Sequence, residues 1–121
     1  MKWIRGFKYA WEGMIYGFRT EKHMRFHGIA AAAAVALSVY ARLEAGQWLW
    51  VLLSIALVWA AELMNTAIER AVDLASPDKH PFAKAAKDAS AAAVLVLSVF
   101  ALAVGAIVLL PRVLEKANIF Q

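Results

Sequence analysis

Four polar side chains lie at helical spacing in a segment whose other residues suit a membrane-spanning helix. Glu62, Asn65, Glu69 and Asp73 follow an uncharged run that extends over residues 45–61. At about 100° per residue, these four side chains fall within roughly 80° of one another on a helix. Carboxylates at membrane depth are costly and usually mark a functional site. This stripe is therefore the first candidate for the chemistry of the chain.

Further polar residues are expected near the same membrane face. Glu21 precedes one apolar run, and Lys84, Lys87, Asp88 and Ala91 share one helical face at the start of another. Carboxylate oxygens suit Mg²⁺ better than softer metals, and a lysine ammonium suits a phosphate. The pattern predicts a site where a hydrophilic, phosphate-bearing cosubstrate meets a lipid.

Each of these polar residues also has a structural interpretation. Arg70 could pair with Glu69 or Asp73 in a solvated bridge that carries no function. Glu62 is harder to explain in this way, because uncharged residues precede it and more apolar positions follow it. We therefore expect Glu62 to be functional.

Familiar metal and nucleotide motifs do not account for the site. His23 and His27 have the spacing of a metal pair, but the sequence offers no third ligand, and we interpret them as interfacial histidines. The chain has no cysteine, which excludes thiolate metal sites. It also has no glycine-rich phosphate loop, so a nucleotide would have to be positioned by side chains.

The composition favours an all-α integral membrane protein. Hydrophobic residues make up 63% of the 121 residues, against roughly 45–50% in a soluble domain. Three apolar segments predict three spans, at residues 26–43, 46–73 and 85–112. A soluble helical bundle is the alternative, but three long apolar runs would leave it too little polar surface.

The segments between the predicted spans contain helix-breaking residues. A connection at residues 74–84 contains Ser76-Pro77 and His80-Pro81, which should interrupt the helix. Gly46 is expected in the tight turn between the first and second spans. The whole chain, residues 1–121, is then a single domain.

Residues 1–25 are predicted to form an amphipathic surface helix and the junction to the first span. Large apolar residues recur there at spacings of three and four: Trp3, Ile4, Phe7, Trp11, Met14, Ile15 and Phe18. Basic residues fall mostly elsewhere on the helix, which is typical of a helix in the membrane interface. The alternative is an ordinary amphipathic helix packed on a protein core.

The distribution of basic residues predicts the orientation. Of the 13 lysines and arginines, only Arg42, Arg112 and Lys116 fall on the far side of the three predicted spans. The positive-inside rule then places the N-terminus in the cytoplasm, with the polar stripe near the cytoplasmic face. The sequence lacks basic runs interleaved with exposed aromatics, so we expect no nucleic-acid partner.

Several blocks of the sequence resemble one family of bacterial membrane enzymes. Residues 61–73 are similar to the E-[LI]-x-N-[ST]-A-I-E-x-x-V-D signature of the prokaryotic diacylglycerol kinase and undecaprenol kinase family. Residues 86–88 and 91–94 resemble the second block of that family, A-K-D-x-x-[SA]-[AG]-A-V. Residues 7–13 and 20–27 resemble its N-terminal portion, especially in the Gram-positive branch.

The resemblance implies a homotrimer of three-span protomers in the bacterial inner membrane, each with an N-terminal amphipathic helix. It also implies active sites between protomers near the cytoplasmic surface. The implied reaction transfers the γ-phosphoryl group of ATP to the hydroxyl of a membrane lipid, with Mg²⁺ accompanying the nucleotide.

The resemblance further implies a role for each polar residue. Glu62 matches the general base and meets the lipid hydroxyl, with Ala91 also on the substrate side. Glu21 and Glu69 match the residues that hold Mg²⁺ and ATP. Other positions match residues that contact ATP, namely Asp78, Lys79, His80, Lys87 and Asp88. Asn65 and Asp73 match supporting residues.

Departures from the diacylglycerol-type pattern favour undecaprenol as the acceptor. Ala91 replaces a serine that diacylglycerol-type members often carry, and Phe26-His27 replace a glutamine–glutamate pair. Lys2 stands where the family has a nucleotide-contacting arginine. Diacylglycerol remains the alternative acceptor. From the residues alone, a proton-conducting or structural membrane subunit is a more distant alternative.

Overall fold

The computed structural model describes residues 1–118, and these residues form helices and no strand. Helix α1 spans Lys2–Thr20, α2 spans Lys22–Tyr40, α3 spans Ala45–Ala75 and α4 spans Pro81–Val104. A π-helical turn at Gly105–Leu109 carries α4 into α5, which spans Leu110–Asn118. The predicted all-α class is confirmed.

Glu21 is the link between α1 and α2. Its backbone is extended, with φ −111° and ψ 114°, so the two helices meet at a break of a single residue. The backbone N–H of Glu21 donates to the carbonyl oxygen of Gly17 at 3.0 Å, which closes the last turn of α1. The Glu21 side chain therefore lies at the bend between α1 and α2.

The turn between α2 and α3 differs from its predicted form. Gly46 lies inside α3, and Arg42 instead adopts the left-handed conformation, with φ 53°. A capping box starts α3, because the Gln47 side chain accepts from the Glu44 backbone N–H at 3.0 Å. This box satisfies the first amides of the helix without a glycine in the turn.

The connection between α3 and α4 breaks the helix where the prolines predict. Helix α3 ends at Ala75 and α4 begins at Pro81. His80 caps α4, since its Nδ1 atom accepts from the backbone N–H of Phe82 at 3.1 Å. Proline at the first helical position costs nothing, because that amide has no partner within the helix.

Two glycines allow α1, α2 and α3 to approach one another closely. A Cβ atom on Gly28 would lie 2.7 Å from Cε1 of Phe18, and one on Gly17 would lie 2.9 Å from Cδ2 of Leu63. The Phe18 ring packs edge-on against Trp59 of α3, with 5.3 Å between ring centroids. Helix α1 thus docks on the polar half of α3 through aromatic and glycine contacts.

In the described part of the chain, two helical segments, Ala45–Ala75 and Pro81–Asn118, are long and apolar enough to cross a membrane. Helix α2, which contains most of the predicted first span, is not one of them. Many large apolar side chains of α3 and α4 are exposed, including Leu49, Leu95 and Leu102. Such surfaces suit contact with lipid or with further copies of the chain.

Candidate active site

One arginine joins two of the predicted site carboxylates. Arg70 donates from Nη2 to Oε1 of Glu21 at 2.6 Å, and its Nη1 lies 3.9 Å from Oε2 of Glu69. Its Nε donates to the hydroxyl of Tyr16 at 2.7 Å. The helical register of α3 and the bend at Glu21 thus bring residues of three elements to one point.

Asn65 and Ser90 connect this cluster to α4. The Asn65 Nδ2 group donates to Oε1 of Glu69 at 2.9 Å, and the Ser90 hydroxyl donates to Oδ1 of Asn65 at 2.6 Å. Asn65 and Ser90 are both buried. The Glu69 carboxylate is therefore held on one side by an amide and faces a guanidinium on the other.

Glu62 lies two turns deeper along the same face of α3. Its Oε2 atom is 3.5 Å from Nε2 of His27, and the exposed fractions of the two side chains are only 4% and 15%. Its backbone carbonyl also accepts from the Thr66 hydroxyl at 3.0 Å. A carboxylate in this position is desolvated, and it lies against an imidazole.

An apolar groove of about 430 Å³ lies beside His27, between α2, α3 and α4. Its wall includes Phe26, Val58, Trp59 and Leu102, and His27 is the only titratable residue that lines it in the described part of the chain. The groove therefore links an apolar surface to the residue that contacts Glu62. An alkyl or prenyl chain fits such a lining.

A second groove, of about 630 Å³, lies at the connection between α3 and α4. It is open to solvent, and its lining includes every predicted ATP-contacting residue of that region: Asp78, Lys79, His80, Lys87 and Asp88. Asp73 also lines it and forms an ion pair with Lys87. Three lysines and three aspartates line this groove, so its formal charge is balanced, and its lysines can contact a phosphate.

Lys84 lies in the first turn of α4, at the rim of this groove. It donates to Oδ2 of Asp88 at 2.5 Å, and this hydrogen bond raises the pKa of the Lys84 ammonium. Asp88 is thus engaged by Lys84 in this structure, while Lys87 is engaged by Asp73.

Not all predicted residues come together. Ala91 is exposed on α4 and is not part of the Glu21–Arg70–Glu69 cluster. Glu62 forms its own pair with His27, away from the cluster and from the groove at the connection. The structure therefore places the predicted residues at three separate points: the Glu21–Arg70–Glu69 cluster, the pair of Glu62 with His27, and the groove at the connection between α3 and α4.

The acidic cluster can be tested for its fit to Mg²⁺. Within residues 1–118, no group of three or more histidine, aspartate and glutamate side chains is arranged to hold a metal alone. Glu21 and Glu69 nevertheless face one cationic group from two elements, and both supply the oxygen donors that Mg²⁺ prefers. Mg²⁺ usually takes its other ligands from water and substrate phosphates, so this pair fits a metal that arrives with a nucleotide.

Several residues of the site escaped the sequence reasoning. The sequence gives no indication of a role for Tyr16 or Ser90, because single hydroxyl side chains are common on helices. His27 was interpreted as an interfacial histidine, and the structure places its half-buried side chain against Glu62. The signal for His27 was its position on the face of α2 that also carries Ala31 and Ala34, which are buried and half-buried.

The chain is similar to a family of known proteins over most of its length. The model of the family described as prokaryotic diacylglycerol kinase matches residues 8–109. The undecaprenol kinase of Bacillus subtilis (strain 168) is 38% identical over 111 residues, which cover 92% of this chain and 90% of that protein. A diacylglycerol kinase of Synechocystis is 39% identical over 110 residues, which cover 90% of this chain and 63% of that protein. The diacylglycerol kinase of Escherichia coli (strain K12) is 31% identical over 98 residues, which cover 81% of this chain and 80% of that protein.

Proposed function

The chain belongs to the prokaryotic diacylglycerol kinase family, and on that premise we propose that it uses ATP to phosphorylate the hydroxyl of a membrane lipid, with undecaprenol as its preferred acceptor. A lipid kinase accounts for the buried carboxylate and for the groove lined by lysines at the connection. Neither a proton-conducting subunit nor a structural subunit needs the groove at the connection.

The observation that carries the proposal is the contact between Glu62 and His27, which lines the apolar groove. His27 both lines the groove and contacts the Glu62 carboxylate. A lipid chain in the groove would thus bring its hydroxyl toward a buried base. The groove at the connection, with Lys79, His80 and Lys87 in its lining, would take the phosphates of ATP.

In this mechanism, Glu62 accepts the proton of the lipid hydroxyl as its oxygen attacks the γ-phosphorus of ATP. The bond from that phosphorus to the bridging oxygen breaks, and ADP leaves. Glu21 and Glu69 would hold Mg²⁺, which neutralises phosphate charge when it is bound. Asn65 keeps the Glu69 carboxylate in place, and Asp73 orients Lys87. Phosphoryl transfer needs mainly such alignment and charge neutralisation from a protein.

The depth of the two glutamates on α3 supports this division of roles. Glu62 and Glu69 are seven residues apart, which is about 10 Å along a helix. Glu62 is buried, whereas Glu69 is partly exposed. A lipid hydroxyl at the membrane boundary and a nucleotide nearer water would meet across this distance.

The wider setting of the site is also part of the proposal. We place the chain in the bacterial inner membrane as a homotrimer, with three spans per copy and the N-terminus in the cytoplasm. The exposed apolar side chains of α3 and α4 support burial in lipid or against other copies. Helix α2 would cross the membrane with Lys22 and Arg25 at its cytoplasmic end, where long basic side chains can extend to the headgroups.

The choice of undecaprenol rests on the chain's departures from the diacylglycerol-type pattern. Ala91 and His27 stand where those members carry polar or acidic residues, and a relative of similar length is named undecaprenol kinase. Diacylglycerol is the second candidate, because other relatives are named diacylglycerol kinases.

An acceptor assay tests the proposal directly. Purified protein in mixed micelles would receive radiolabelled ATP with either undecaprenol or diacylglycerol, and we expect stronger labelling of undecaprenol. Strong labelling of diacylglycerol with none of undecaprenol would overturn the preferred acceptor.

Glu62→Gln should bind nucleotide normally yet lower turnover by about a hundredfold, the scale of a general base. Normal turnover in that variant would remove Glu62 from the mechanism.

A further inference from the structure

We propose that Arg70 makes the acidic pair of Glu21 and Glu69 selective for a divalent cation that carries a nucleotide, over the same cation alone. The proposal rests on the proposed function, since it takes the two carboxylates as metal ligands. It adds Arg70, which has no role in the mechanism above.

The position of the guanidinium carries the first step. One terminal nitrogen of Arg70 lies 2.6 Å from Glu21 and the other lies 3.9 Å from Glu69. Its Nε is fixed by the Tyr16 hydroxyl at 2.7 Å. A planar fork with five donors is well suited to bridge two carboxylates in this way. In the absence of metal, Arg70 is therefore the counter-ion of the pair.

The sign of its charge carries the second step. A bare divalent cation that binds Glu21 and Glu69 must approach a guanidinium that repels it and competes for the same oxygens. A complex of that cation with ATP has a net negative charge, and the guanidinium attracts it. One side chain thus disfavours the first ligand and favours the second.

The exposure of the three side chains sets the size of the effect. The exposed fraction is 42% for the Arg70 side chain, 17% for Glu21 and 33% for Glu69, so solvent screens their charges. The unit charge of Arg70 acting on a doubly charged ligand across about 4 Å in a water-like medium changes an affinity about thirtyfold. We expect changes of that size, in opposite directions for the two ligands.

A structural role for Arg70 makes a different prediction. If Arg70 only ties α1 to α3 through Tyr16, its loss should loosen the site and weaken both ligands. Tyr16→Phe separates the two roles, because it removes the hydrogen bond and keeps the guanidinium. We expect Tyr16→Phe to leave the preference between the two ligands unchanged.

The experiment measures binding by the full-length chain in detergent micelles, without lipid acceptor and at low ionic strength. Free Mn²⁺ is followed by electron paramagnetic resonance, and the manganese complex of a non-hydrolysable ATP analogue is followed by calorimetry. Arg70→Gln should bind Mn²⁺ about thirtyfold more tightly and the metal–nucleotide complex about thirtyfold more weakly. Arg19→Gln removes the same charge from an exposed residue of α1 and should change each affinity less than twofold.

Two results would overturn the proposal while leaving the metal site in place. One is that Arg70→Gln changes both affinities in the same direction, or neither. The other is that Tyr16→Phe reproduces the effect of Arg70→Gln. Glu21→Gln and Glu69→Gln should weaken Mn²⁺ binding by the otherwise unchanged chain. If neither does, the metal assignment in the proposed function is wrong, and the role of Arg70 falls with it.

Discussion

At the scale of single residues, the pair of His27 and Glu62 is the least expected feature of the site. Both side chains are nearly buried, and their reactive atoms lie 3.5 Å apart. The Nε1 group of Trp59 donates to the His27 carbonyl at 3.3 Å, which ties this turn of α2 to α3. The imidazole is thus fixed next to a buried carboxylate. We infer that His27 positions Glu62.

Replacing His27 tests this positioning role. His27→Leu leaves a buried carboxylate without its partner, a change that costs about 1–3 kcal/mol in proteins. We expect turnover to fall about tenfold, since 1.4 kcal/mol corresponds to that factor, while nucleotide affinity stays the same. His27→Gln, which keeps a donor, should recover part of the loss.

His23→Leu provides the control, because His23 lies one turn earlier on α2 and is exposed. It should leave kcat and KM unchanged. An equal loss of turnover in His23→Leu and His27→Leu would mean that the imidazole acts through the membrane surface and not through Glu62.

The residues of the site differed in how visible they were from the sequence. The burial of Glu62 was predictable, because this carboxylate follows a long uncharged run in an apolar helix. The hydrogen bonds from Arg70 to Tyr16 and Glu21 were not predictable, because these residues are 54 and 49 positions away along the chain. The expected pairing of Arg70 with Glu69 is confirmed at 3.9 Å, whereas Asp73 pairs with Lys87. Only the docking of α1 on α3 brings the guanidinium to Glu21.

At the scale of helices, the approach of α1 to α2 depends on a missing side chain. A Cβ atom on Gly28 would lie 2.7 Å from the ring of Phe18, and that ring is already packed edge-on against Trp59. The ring has little freedom to move, so a methyl group there would displace α1. This displacement would separate Tyr16 and Glu21 from Arg70.

Gly28→Ala should therefore lower stability, by about 1–3 kcal/mol on the scale of overpacking. Thermal unfolding in detergent, followed by tryptophan fluorescence, measures it. Gly6→Ala is the matched control, because a Cβ atom on Gly6 meets nothing within 4 Å. Adding Phe18→Leu to Gly28→Ala should restore part of the stability. A Gly28→Ala variant as stable as Gly6→Ala would contradict this account.

The helices themselves were largely predictable, and their details were not. Pro77 and Pro81 indicated the break between α3 and α4 because proline removes an amide and restricts its neighbours. The prediction that Gly46 lies in the turn was wrong, because a capping box at Glu44 and a left-handed Arg42 complete the turn without it. The π-helical turn before Pro111 was also unforeseen. Pro111 has no N–H to donate, and a widened turn at Gly105–Leu109 precedes it.

At the scale of the whole molecule, one copy of the chain leaves much apolar surface uncovered. The buried core at the end of the bundle away from the site is small, and it consists of Ala41, Leu43, Val51, Val104 and Leu109. Long exposed rows on α3 and α4 need lipid or other copies beside them. The proposed trimer would cover part of these rows. It would also set one copy's acidic cluster beside another copy's groove at the connection.

Mixing two inactive variants tests this shared arrangement. Glu21→Gln disables the acidic cluster and Lys87→Met disables the groove at the connection. If a site takes one part from each of two copies, random assembly at a one-to-one ratio should restore roughly a quarter of wild-type activity. Mixing after the oligomers have formed, without exchange of subunits, is the control and should restore none. No recovery from co-assembled trimers would place each site within one copy.

The bend at Glu21 has a consequence for the membrane as well as for the site. This residue ends a helix whose exposed tryptophans suit the headgroup layer, and the same residue supplies a carboxylate to the Arg70 cluster. Any change in lateral pressure or curvature that tilts α1 must move that carboxylate with it. The bilayer would then act as an effector of the enzyme, because lipid packing would change the position of the Glu21 carboxylate and with it the rate of the reaction.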